Sequence, residues 1–166
     1  MSELPRGAAA PEDEERYRQL ASELAAAVEL ALEPWVVRSI EERCRRSGIV
    51  VDDEVRTAAH DAGRRCRDEV GAKVRELLHT DPDDQRGSPL ALLRGGTRFA
   101  TEVLRRLGVP PVQRDQFAES AFAEDVYDLS PASFADVDPA LHEPGLMWGA
   151  AKAHIHLARR RAEGRR

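Results

Sequence analysis

Apolar residues recur at three- and four-residue spacing along most of this 166-residue chain, and strand-like alternation is nearly absent. Tyr17, Leu20, Leu24, Val28 and Leu32 share one face of a helix predicted over residues 12–32. Pro34 suits the first residue of a second helix, because a helix start leaves that N–H unpaired anyway. Val36, Val37, Ile40 and Cys44 line its apolar side, and Gly48 is the expected stop. Asp52 or Asp53 caps a third and longest helix, running to about residue 78, whose stripe is Val55, Ala59, Ala62, Cys66, Val70, Val74 and Leu77. The first half of that stripe is small, with Gly63 beside it, which predicts a tight crossing against another helix. Ser88-Pro89 starts a fourth helix, with Leu93, Gly96, Ala100, Val103 and Leu107 on one face.

After Gly108 the texture changes. Pro110, Pro111, Pro131, Pro139 and Pro144 cut the chain into short pieces: a helix over 111–123, single turns starting at Ser130-Pro131 and Asp138-Pro139, and a last helix over 144–162. The expected architecture is all-α: a single helical bundle of four to five main helices with a proline-punctuated C-terminal section of short helices. It forms one domain over residues 12–163, with flexible tails at 1–11 and 164–166. The length allows roughly 70% of the chain's surface to be buried without disulfides or a structural metal.

Charge changes the picture by its placement. The chain carries 30 acidic residues against 25 Lys and Arg, a net −5, but residues 115–151 hold eight acids and no Lys or Arg. Five of the eight aromatic residues fall in the same segment, interleaved with those carboxylates, while residues 159–166 carry five Arg and one Glu. Aromatic anchors ringed by charge are interface chemistry. The candidate partner-binding residues are therefore Phe117, Phe122, Tyr127, Phe134, His142 and Trp148, against the plainer alternative that the aromatics clamp short helices onto the bundle. The function expected is a small helical interaction or regulatory protein, with a protein partner or self-association. Five arginines at the end of a net-acidic chain argue weakly for nucleic acid, so that partner is disfavoured. No apolar run approaches the ~20 residues that cross a bilayer, and the first residues lack a signal-type apolar stretch, so a cytoplasmic protein without membrane contact is expected.

Catalytic patterns are missing from the sequence. An antiparallel hairpin about residue 50 sets Cys44 opposite residue 55 and leaves Cys66 ~16 Å further along, too far for a disulfide, so both thiols should be free and buried. His60, His79, His142, His154 and His156 offer no pair at four-residue spacing, and there is no C-x-x-C. Residues 81–87 have a calcium-loop flavour but put Arg86 where that loop needs Gly and Leu92 where it needs Glu. No metal and no cofactor is assigned. Gly95-Gly96 marks either a kink with backbone open to a ligand or a close helix contact. The alternative function is a helical enzyme or small-ligand binder with an inter-helix site. Its polar groups would be His60, His142, Glu143, His154 and the arginines of the third helix, walled by Gly95-Gly96 or the proline-rich segment.

Overall fold

The computed structural model describes residues 11–79, 89–112, 126, 127 and 129. Every regular element among them is helical: α1 (Pro11–Arg46), α2 (Asp53–Cys66), α3 (Ala72–His79) and α4 (Pro89–Arg106). A π-helical turn, Arg67–Gly71, joins α2 to α3, so residues 53–79 form one continuous rod. Three rods thus pack against one another. None of the described helices is long and apolar enough to cross a membrane. Pro11, expected in the first tail, starts α1, and Pro111 and Val112, expected to open a helix, are not helical; residues 113–123 and 130–162, the turn at 81–87, and residues 1–10 and 164–166 lie outside the described residues.

The two helices predicted on either side of Pro34 are one. Their apolar stripes join without a break through Ala21, Ala25, Val28, Leu32, Trp35, Val36, Ile40 and Cys44, all buried. Pro34 falls on the outer, exposed face. The hydrogen bond it cannot donate would reach the Leu30 carbonyl, one turn back on the same water-facing side. A proline inside a helix costs about 3 kcal/mol, whereas each large apolar side chain on that stripe gains roughly 1.5–3 kcal/mol by burial. Keeping the stripe in one straight register wins.

The ends follow from local chemistry. Asp52 caps α2, its carboxylate accepting from the Val55 N–H at 2.9 Å. Gly48 and Gly108 sit at φ +72° and +70° just past α1 and α4. Ile49 N–H bonds the Cys44 carbonyl (2.9 Å) and Gly48 N–H that of Arg45 (3.1 Å), and Val109 and Gly108 repeat the pattern on Leu104 and Arg105. These bonds satisfy carbonyls that a helix end leaves open.

The π turn has a packing reason. The steps Ala62, Cys66, Val70 and Val74 are each four residues, and on a 3.6-residue turn they drift by about 120° in total. A wider turn at 67–71 takes up part of that drift, and all four side chains stay buried. On α4, Gly96, Phe99, Ala100, Val103 and Leu104 face inward, with Leu107 half-buried.

One end of the bundle is closed by Tyr127, which is 2% exposed. Its hydroxyl donates to the Val109 carbonyl at 3.0 Å, its carbonyl accepts from Arg43 Nη2, and Val112 N–H bonds the Val126 carbonyl at 3.0 Å. The chain after α4 therefore returns to cover the C-terminal ends of α1 and α4.

Candidate functional site

Close packing of α1 on the second rod starts from glycine. A Cβ on Gly63 would lie 2.9 Å from the Glu33 backbone oxygen and 3.2 Å from its Cα, so only a residue without a side chain fits the crossing. The tight approach expected at Gly63 is present, with Glu33 as its partner. Two turns on, a Cβ on Gly71 would meet Glu29 Cγ at 2.7 Å. Between and beyond these glycines, Arg67 and Arg75 follow at four-residue spacing. Arg67 Nη1 donates to Glu33 at 2.7 Å, and Arg75 pairs with both carboxylate oxygens of Glu29. Gly63, Arg67, Gly71 and Arg75 thus form a zip, in which each glycine admits α1 and each arginine reaches across to it.

The upper end of the zip opens into a groove of about 490 Å³ lined by Leu30, Glu33, Pro34, Val37, Arg38, Glu41, His60 and Arg67. His60 Nδ1 lies 3.4 Å from the second Glu33 oxygen, so one half-buried carboxylate is shared by an arginine and a histidine. Two of the polar groups expected for an inter-helix site, His60 and an arginine of the third predicted helix, therefore do converge. Their wall is Pro34 and Leu30, whereas Gly95-Gly96 packs elsewhere: Val70 Cγ2 is 3.7 Å from a Cβ placed on Gly95, and Cys66 Sγ lies 3.7 Å from the Gly96 carbonyl. The pair therefore faces the second rod, with Gly95 at an ordinary van der Waals distance from it. His142, Glu143 and His154 lie outside the described residues.

Leu30 is the conspicuous side chain on this surface. It is 77% exposed in the middle of the longest helix, and Ala26 and Pro34, one turn either side, are exposed as well. With half-buried Ala27 and Val37 they make a contiguous apolar band on the outer face of α1.

A second, wider groove of about 930 Å³ runs between α2 and α4. Its walls are charged, and ion pairs line them: Arg64 pairs with Asp61, and Arg65 reaches Glu102 at 3.4 Å. The Arg65 and Arg98 guanidiniums also flank the Phe99 ring at 5.4 and 5.0 Å. This is a solvated seam between two helices.

Of the six residues expected to bind a partner, Tyr127 is described, and it is spent on the core. Phe117, Phe122, Phe134, His142 and Trp148 lie outside the described residues. Among the described residues no three His, Cys, Asp or Glu side chains gather as metal ligands would. Cys44 and Cys66 are free and buried, as their separation predicts. Burial, with the Glu69 charge adding to it, pushes the Cys66 thiol up to about 12. Burial also raises Cys44, Arg45 opposing the effect and Glu41 reinforcing it. Neither is a nucleophile at neutral pH, since the thiolate is the reactive form.

The chain matches no protein-family model, no curated protein and no solved structure.

Proposed function

We propose that this chain is a small helical interaction or regulatory protein of the cytoplasm, working by contact with other proteins and not by catalysis. The observation that carries the reading is the exposed band around Leu30, Ala26 and Pro34 on α1. A folded chain gains nothing from leaving a mid-helix leucine in water beside further apolar surface, and such contiguous patches mark contact sites.

The acidic, aromatic segment 115–151 belongs to this proposal as a second contact surface, and its sequence supports that role: eight carboxylates without a Lys or Arg. In this reading the proline-punctuated section completes a bundle of four to five main helices. Its remaining candidates are Phe117, Phe122, Phe134, His142 and Trp148. Placing a photo-reactive side chain at position 30, and separately at position 117, in the full chain inside its native cell tests the reading. Discrete protein adducts at either position are expected; none at both would overturn it.

One observation favours a second reading, a small-ligand site. His60 and Arg67 meet on Glu33 inside an open groove. Saturable shifts of the His60 and Arg67 resonances in a fragment titration would support it, and a screen that moves neither would end it.

A further inference from the structure

We infer that the exposed ridge Pro110-Pro111-Val112, just past α4, is a docking site for a protein that offers an aromatic groove rimmed by carboxylates, the kind of groove that seats a polyproline II segment. This surface stands independently of the apolar band on α1 and of segment 115–151.

Covalent geometry sets the conformation of the ridge. Each proline ring holds its own φ at about −65°, and a residue that precedes a proline is pushed out of the helical region. Val109 precedes Pro110 and Pro110 precedes Pro111, so both constraints act together, and residues 109–112 run as neither helix nor turn. The two ends of that stretch are pinned. Val109 is buried, its N–H on the Leu104 carbonyl and its own carbonyl taking the Tyr127 hydroxyl, and Val112 N–H bonds the Val126 carbonyl. Between the pins Pro110 and Pro111 are exposed, and the Val112 side chain beside them is exposed as well. A partner therefore meets a segment already held extended, with little chain entropy left to lose.

The chemistry of the ridge selects the groove. Its side chains are apolar, whereas among the described residues no donor takes the Pro110 or Pro111 carbonyl. Flat aromatic side chains cover proline rings, and the Trp N–H or the Tyr hydroxyl supplies the donor that an open carbonyl needs. A purely aliphatic surface would cover those carbonyls and leave them unpaired. Charge narrows the partner further. Arg105 and Arg106, in the last turn of α4, are exposed, and neither guanidinium has a partner among the described residues. They precede Pro110 by only five and four residues, so carboxylates on the rim of the groove are attracted there and Lys or Arg is repelled. Three exposed residues at ~3.1 Å each make a ridge of about 9 Å, far below a standard interface, so the contact is weak and exchanges rapidly.

Titration of the isotope-labelled full chain with a panel of purified SH3 and WW domains tests this. Saturable shifts of the Gly108, Val109 and Val112 amides are expected with at least one domain, and none with that domain once its groove Trp is replaced by Ala. Pro111→Ala, which loosens the segment and removes a ring, should bind roughly fivefold more weakly or worse. Arg105→Glu combined with Arg106→Glu should weaken binding by roughly fivefold at low salt, the difference closing as salt is raised. All three positions are exposed, so the variants keep their helical circular dichroism. No shift of these amides with any domain, shifts that survive loss of the groove Trp, or undiminished binding by either variant overturns the site. Such a failure leaves the α1 band standing, because that surface is tested separately by cross-linking at position 30.

Discussion

Gly63 and Gly95 are both helical glycines, yet the space around them is opposite. At Gly63 a methyl group would press on the α1 backbone at 2.9 Å, and backbone cannot swing aside. Gly63→Ala should therefore lose stability by about 1 kcal/mol net, overpacking outweighing the helix-propensity gain. At Gly95 the nearest atom is an ordinary 3.7 Å away, so Gly95→Ala should gain roughly 0.5–1 kcal/mol. Chemical denaturation of the two variants checks both signs. Cys66 yields a second prediction. Its folded pKa is raised from 9.0 to about 12, so the folded chain keeps a proton that the unfolded chain loses. The contribution is whole below pH 9 and is lost as pH climbs from there toward 12, at roughly 1.4 kcal/mol per pH unit. Cys66→Ala should lack that component of the alkaline decline in thermal unfolding. At this scale the sequence is partly legible: small residues around Gly63 announce a crossing, but they do not name Glu33. A helix ending near residue 32 leaves Glu33 off any face, which hides the carboxylate that His60 and Arg67 share.

The elements themselves show where local rules yield to packing. Pro34 reads as a helix start, and its ring fits that role, but the buried stripe from Ala21 to Cys44 holds α1 continuous through it. Pro34→Ala would restore a bond on the solvent side of that helix and should stabilise the fold by about 1–3 kcal/mol, measured as a raised denaturation midpoint. Caps, by contrast, are legible because they depend on few residues: Asp52, Gly48 and Gly108 each act within one turn. The π turn is not, since its cause is a drift of the stripe relative to two neighbouring helices. Tyr127 reads as a partner anchor by composition alone. What composition lacks is the Val109 carbonyl that takes its hydroxyl at 3.0 Å. Tyr127→Phe should cost about 1 kcal/mol or somewhat more, the carbonyl being left unpaired, again by denaturation.

For the whole molecule, the count of charges says less than their order. A net −5 conceals an acidic segment over 115–151 and an arginine-rich stretch over 159–166. The outer face of α1 becomes visible only when α1 is one helix, and cross-linking tests it directly. A photo-reactive side chain at position 30 lies in the exposed apolar band, and one at position 57, exposed on α2 among charged residues, serves as its control. In the full chain inside its native cell, discrete protein adducts are expected at position 30 and not at position 57. No adduct at position 30, or equal adducts at the two positions, would contradict a contact surface on α1.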